Sequence, residues 1–298
     1  CLFNSDLFSS SSGDINMQLT NKQNLPEAIV KAVQNDPYDK GDCDFSATEL
    51  LKPARQAALL RKHGDEVTED AADRLHALEG QVVHHILERA NETDLCEERF
   101  FAKIGEQTVS AQVDTMSLVG SILSDYKYTT AWKFKGKMPS TEWIQQLNIQ
   151  AELMRRNGVY PKELRIIGIL KDHSKTEAMR NSEYPQTQIV TMAIPMWSRE
   201  DATAFIEKRI QDHLKARGIL PECTPGERWA TADKWAVKMK GRKRAYKVCD
   251  DKEYAEILAE TKGGFVEFRP GKSIRCESYC SVSPFCEQFR KMGGDEDE

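Results

Sequence analysis

Residues 109–128, VSAQVDTMSLVGSILSDYKY, carry two strand-forming runs on either side of Gly120-Ser121, a pair that favours a tight hairpin turn. With a two-residue turn, Val119 pairs with Ile122, and further out Asp114 lies across from Lys127. Side chains alternate along a strand, so Asp125 and Lys127 share one face, and a cross-strand partner joins them there. Two carboxylates and a lysine then converge on one side of a hairpin. Hard divalent cations prefer carboxylate oxygens, and a nearby ammonium helps to activate water or to hold developing phosphate charge. The same residues also describe a solvated strand face with a weak ion pair, so the flanking sequence has to decide between the two.

Upstream, residues 69–91 have helical periodicity. Leu75, Leu78, Val82 and Ile86 form a stripe expected to be buried, and Gly80, His84 and Glu88 fall on a neighbouring face. A glycine one turn before His84 lets a group approach the helix closely, although a lone helix histidine is more often ordinary. Residues 97–104 read as a strand closed by a turn at Gly105. Downstream, a basic loop at 133–137 leads to a helix capped by Ser140 and stopping before Asn157-Gly158. Its apolar side is Trp143, Leu147, Ala151 and Met154, while Glu142, Gln146 and Gln150 stand one turn apart on another face. Buried strands are expected at 164–170 and 188–194, and a helix capped by Ser198 ends near Gly218. Nearer the N-terminus, 25–33 reads as a helix opened by Pro26, and Ser46 to Glu49 as a capping box. Helix, three strands, helix, two strands and helix make a mixed α/β arrangement around one central sheet.

The chain has 298 residues, 30% of them charged and 40% hydrophobic, with a formal net charge of −5. That excludes a basic nucleic-acid coat, so any contact with DNA must come from a local patch. No apolar run reaches membrane-span length, which excludes a spanning helix, and no basic-then-apolar leader stands out; a cytoplasmic location is expected. Residues 1–16 read as a poorly ordered leader, with Met17 a plausible native start, and 291–298 as an acidic tail. Residues 17–218 form the main α/β body, and 219–290 a basic, cysteine-bearing segment packed on it. Within that segment Lys234, Lys238, Lys240, Arg242, Lys243, Arg244 and Lys247 make a local positive patch that suits a phosphate backbone; a solvated hairpin is the alternative.

The eight cysteines of a chain of this kind are expected to be free thiols or metal ligands rather than disulfides. Cys276, Cys280 and Cys286 are spaced C-x3-C-x5-C. Three thiolates need a fourth ligand to complete a zinc or iron–sulfur site. Cys223, in a Pro-Glu-Cys-Thr-Pro turn, is the first choice and Cys249 the second. One distant cysteine with three clustered ones favours a [4Fe-4S] cluster acting as a staple that pins the C-terminal segment to the core; spacing alone leaves Zn2+ open.

Together these residues resemble the RecB-type branch of the PD-(D/E)XK nuclease superfamily, including the iron–sulfur exonucleases of AddB and CRISPR-associated type. The chain looks most like the phage-encoded, stand-alone RecB-like exonucleases. The resemblance runs from Asp44 to Phe289. Gly80-Gln-Val-Val-His84 matches the G-x-x-x-H helix motif, Gln-Val-Asp114 the first acid, and Asp125-Tyr126-Lys127 the D/E-x-K motif. Gln146 opens the Q-x-x-x-Y motif, with Gln150 in place of its tyrosine. The resemblance implies a restriction-endonuclease-like core, a central mixed sheet flanked by helices. It implies that Asp114 and Asp125 hold Mg2+ or Mn2+ with the Tyr126 carbonyl, and that His84 is a further ligand favouring manganese. Lys127 would act on the attacking water and on the phosphate, and Gln146 would position Lys127 or the DNA backbone. The implied function is a metal-dependent DNA exonuclease acting on single strands or duplex ends in recombination or repair, alongside recombination proteins. The alternatives are a flap or junction endonuclease, and a catalytically weak DNA-binding iron–sulfur module.

Overall fold

The structure, a computed structural model, describes residues 18–35, 39–91, 93–136 and 138–293. The expected leader at 1–16, Met17, Lys137 of the basic loop and residues 294–298 of the tail lie outside them. The chain divides into two compact units, Cys1–Ala58 with Thr68–Leu220, and Leu59–Val67 with Pro221–Glu298. The division after Leu220 falls just past the expected one at Gly218. The short excursion Leu59–Val67 has no marker in the sequence.

Up to residue 216 the elements are β1 (Gln18–Thr20), α1 (Glu27–Gln34), β2 (Phe45–Ser46), α2 (Ala47–Leu51), α3 (Ala54–His63), β3 (Thr68–Asp70), α4 (Leu75–Ala90), β4 (Leu95–Ile104), β5 (Gln107–Ser117), β6 (Ile122–Thr129), α5 (Thr141–Arg156), β7 (Glu163–Leu170), α6 (Lys175–Arg180), β8 (Ile189–Ile194) and α7 (Arg199–Ala216). The first unit is a six-stranded mixed sheet flanked by helices, in the order β2-β5-β6-β7-β8, with β4 also on β5. A strand has two edges, and β5 has three partners. β4 runs antiparallel along nearly all of one edge, from Ile104 opposite Gln107 to Leu95 opposite Met116. The other edge is therefore divided. β2 takes Val109 and Ser110 in parallel, and β6 takes Thr115, Met116 and Ser117 antiparallel. Between them the Gln112 carbonyl accepts a hydrogen bond from Gln150 Nε2 of α5 at 2.8 Å.

β6 and β7 are parallel, which requires a crossover, and α5 supplies it. Ser140 caps α5 by accepting from the Trp143 N–H. Its expected apolar side, Trp143, Leu147, Ala151 and Met154, is buried. Burial of a Leu or Met of this kind stabilises the fold by about 1.5–3 kcal/mol each. Asn148, also buried, fixes the same helix to the turn after β8, donating to the Ile144 and Pro195 carbonyls and accepting from the Trp197 N–H. Ser46 and Ser198 cap α2 and α7 as expected.

The expected stripe on α4 is not buried. Val82 and Ile86 are 51% and 59% exposed. At 100° per residue that stripe lies opposite His84 on the helix, and His84 is the residue that meets the sheet, with Nε2 3.1 Å from the Tyr126 carbonyl on β6. The partly covered face is Gly80, Val83, His84 and Leu87, an equally helical spacing that competes with the first.

The second unit holds β9 (Lys234–Lys238), β10 (Lys247–Cys249), α8 (Lys252–Lys262), β11 (Phe265–Arg269), α9 (Ile274–Ser278) and α10 (Glu287–Lys291). β10, β9 and β11 form an antiparallel sheet. Val237, Cys249, Ala255 and Ala259 pack between it and α8, and Cys249, the second choice, is not among the thiols that act on Cys223. α8 ends at Gly263, whose φ of 66° suits a residue without Cβ.

Candidate metal centre

The loop between β5 and β6 has four residues, not two: Ser117 pairs with Ile122, and Thr115 with Ser124. This corrects the expected register. Continued by one step, it sets Asp114 beside Asp125 rather than Lys127. The shift is by two residues, and a two-residue shift keeps every side chain on its face. Asp114, Asp125 and Lys127 therefore still share one side of the sheet.

The paired ladder stops at Thr115 and Ser124. Beyond it the Asp114 carboxylate takes the place of a strand partner, with Oδ2 accepting from the Tyr126 N–H at 2.7 Å. Asp125 is 1% exposed. Its Oδ2 lies 2.6 Å from Lys127 Nζ, and its Oδ1 accepts from Gln146 Nε2 at 2.7 Å. Lys127 Nζ also donates to Gln146 Oε1 at 3.2 Å. Gln146 thus holds both ends of the ion pair from α5.

His84 reaches the same place from α4. Its Nδ1 lies 3.3 Å from Glu97 Oε1 and 3.6 Å from Asp114 Oδ2. Glu97 is the residue that the sequence reading missed. It stands across from Asp114 on β4, at a φ of 50° that interrupts the pairing between Cys96–Thr115 and Glu98–Val113. Gln112 Nε2 donates to Glu97 Oε2 at 2.8 Å, and Arg99 donates to Gln112 Oε1 at 2.6 Å. Glu97 was findable, because the β4–β5 hairpin does have a two-residue turn, Gly105-Glu106, and counting back from Ile104 and Gln107 puts 97 opposite 114.

His84, Glu97 and Asp114 offer ligand atoms that all lie within 4.8 Å of one another. The hydrogen bond to Glu97 outweighs burial and, with the charge of Asp114, raises the His84 pKa to about 9. Burial, and then the charge of Asp125, push Asp114 up to about 7. Burial pulls the Lys127 ammonium down, but Asp125 and Asp114 more than offset it and hold its pKa above the ordinary value. Protons held on His84 and Lys127 offset the charge of the carboxylates around them. Two oxygen donors and an imidazole suit a hard or borderline divalent ion. Asp125 adds a further carboxylate beside this group, its buried Oδ2 facing the Lys127 ammonium. The residues present fit Mg2+ or Mn2+.

In the second unit the thiols of Cys223, Cys276, Cys280 and Cys286 lie near enough for the last three to act on the first. Burial leads, with Glu227 and those three thiols adding, to push Cys223 up to about 12. Burial is also the main cause that raises Cys276 and Cys280. Gln288 clamps the Cys223 backbone, accepting from its N–H at 2.8 Å and donating to its carbonyl at 3.0 Å. All four cysteines belong to this unit. A shared cluster would close the unit on itself, a correction to the expected staple onto the main body. Of the basic residues, Lys234 pairs with Asp250, and Lys238 with Glu267 at 3.0 Å. Lys247 sits over the Tyr254 ring. Lys240, Arg242, Lys243 and Arg244 lie exposed between β9 and β10.

No family model matches the chain, and no curated protein matches it. A solved structure titled "Crystal structure of SSO0001" is similar over 62% of this chain and 84% of its own, with 16% identity and a TM-score of 0.43. A likeness of that extent establishes neither a family nor a function.

Proposed function

We propose that the chain is a metal-dependent DNA nuclease of the RecB-like PD-(D/E)XK type, an exonuclease acting at DNA ends or on single strands. The observation that carries this is the gathering of Asp114, Asp125, Lys127 and Gln146 at the fork between β5 and β6, with His84 and Glu97 beside them. A bound Mg2+ or Mn2+ supplies Lewis-acid polarisation of the phosphoryl oxygen and a more acidic bound water. Asp114, Asp125 and His84 would hold it, with Glu97 and the Tyr126 carbonyl as further ligands. His84 Nε2 donates to that carbonyl, so the two serve as ligands together only once the imidazole proton leaves.

Lys127 works as a cation. Its carboxylate neighbours keep it protonated, so it donates to the phosphate rather than withdrawing a proton, and it offsets charge that builds up in the transition state. Gln146 keeps the ammonium aimed by holding Asp125 at the same time. The exposed 240–244 segment offers four cations to a DNA backbone.

The four cysteines would hold a [4Fe-4S] cluster. Zn2+ is the alternative. What supports a shared site is that the thiols of Cys276, Cys280 and Cys286 all act on Cys223.

End-labelled linear DNA and closed circles, offered to anaerobically purified protein with Mg2+ or Mn2+, test the activity. Loss of the linear form alone is expected, and Asp114→Ala or Lys127→Ala should abolish it while the fold persists. Cleaved circles would point to an endonuclease, and an active Asp114→Ala protein would overturn the site.

A further inference from the structure

Arg155, in the last turn of α5, is 8% exposed, and its Nη1 has no hydrogen-bond partner among the described residues. Glu152, buried one turn earlier, has an oxygen 3.7 Å from that nitrogen. The same carboxylate also serves Arg156 at 2.9 Å and Arg199 at 3.5 Å. One carboxylate thus faces three guanidinium groups. Arg156 spends its other N–H groups on the Lys103 carbonyl and the Thr203 hydroxyl. Arg155 and Arg199, by contrast, meet no second carboxylate among the described residues.

Arg155, Arg156 and Arg199 line a cavity of about 490 Å³ together with Lys103 and Tyr160, and among the described residues no acidic one lines it. Glu200 and Glu207 border the neighbouring hollow instead, so an anion is directed toward the Lys103 and Tyr160 side. The volume lies in the range of small-molecule sites, about 300–1,000 Å³. The cavity is separate from the metal centre. Arg155 is nine residues beyond Gln146 on α5, about 13 Å along the axis and on the opposite side of the helix.

We propose that this cavity binds a nucleoside monophosphate. Arg155, Arg199 and Lys103 take the phosphate, whose oxygens match the guanidinium fork. Tyr160, 61% exposed, offers a ring for the base to stack on, a contact that every base can make. Arg155 lines the cavity with its Nη1 buried beside Glu152, so it adds positive charge behind the phosphate. None of this depends on the nuclease activity.

Calorimetric titration of the full chain with dAMP in EDTA tests the proposal. A single site displaced by inorganic phosphate is expected. Lys103→Glu and Arg199→Glu, both at exposed positions, should each weaken it about tenfold, with circular dichroism checking that each variant is folded. Tyr160→Ala should weaken dAMP about fivefold and leave phosphate unaffected. Asp114→Asn should change nothing, which separates this site from the metal centre. The proposal is overturned if dAMP fails to bind, if it binds no better than phosphate and ignores Tyr160→Ala, or if binding falls with Asp114→Asn and survives Arg199→Glu.

Discussion

Replacing Lys127 by Met tests the electrostatics of the centre apart from its chemistry. Methionine keeps much of the lysine stem, so little volume is lost. What disappears is the cation 2.6 Å from Asp125 Oδ2 and the donor to Gln146 Oε1. Asp125, 1% exposed, then keeps one donor, Gln146 Nε2. Leaving a buried charge without its partner costs about 3–5 kcal/mol, and the partial exposure of Lys127 favours the lower end. For a unit of this size each kcal/mol moves Tm by about 2–4 °C, so the metal-free variant should melt about 6–12 °C lower. The double change Lys127→Met with Asp125→Asn removes the stranded charge and should recover most of that loss. Thermal unfolding in EDTA at neutral pH reads both effects, and added Mg2+ or Mn2+ should narrow the gap by supplying positive charge. A single variant that melts within about 2 °C of the parent, or a double variant that melts below the single one, would refute a charged, buried Asp125.

Protons and divalent cations compete for His84, which stays protonated up to about pH 9, and for Asp114, up to about pH 7. Mn2+ affinity at constant ionic strength should therefore rise about tenfold per pH unit between 7 and 9 and more steeply below 7; a flat profile rules out His84 as a ligand. Gln150→Met strands the half-buried Gln112 carbonyl at a cost of about 1–3 kcal/mol. It should lower both Tm and Mn2+ affinity, and a variant that keeps both would show that Gln150 does not shape the centre. Iron and brown colour should be lost in Cys280→Ser and kept in Cys249→Ser, as metal analysis and absorbance will show; stoichiometric zinc in a colourless parent protein would exclude the cluster.

Much of the architecture was legible because its signals are local. Ser46, Ser140 and Ser198 each cap a helix through their own hydroxyl, and the stripe of α5 is buried as its spacing requires. Two features were not legible. The turn at Gly120-Ser121 looks like a two-residue hairpin, but Ser121 alone takes a positive φ, 52°, and the loop widens to four. On α4 two apolar spacings coexist. The choice between them rests on which face carries His84 to the Tyr126 carbonyl, a tertiary contact that periodicity cannot contain. Glu97 lay within reach of the sequence, because the short Gly105-Glu106 turn sets it opposite Asp114; only its left-handed backbone inside a strand, φ 50°, has no local signal.

The centre exists because the sheet is incomplete at one point. A ladder continued past Thr115 and Ser124 would pair the backbones at Asp114 and Asp125 about 5 Å apart, with side chains crowded over them. Instead two backbone groups at the fork are satisfied by side chains, the Tyr126 N–H by Asp114 and the Gln112 carbonyl by Gln150. The groups that open the sheet are thus a candidate metal ligand and a residue one turn from Gln146, which braces the ion pair. Fold and site are not separable here. The fork satisfies its own hydrogen bonds only when Asp114 points into it, and a carboxylate so placed beside Asp125 needs a proton or a divalent cation to remain.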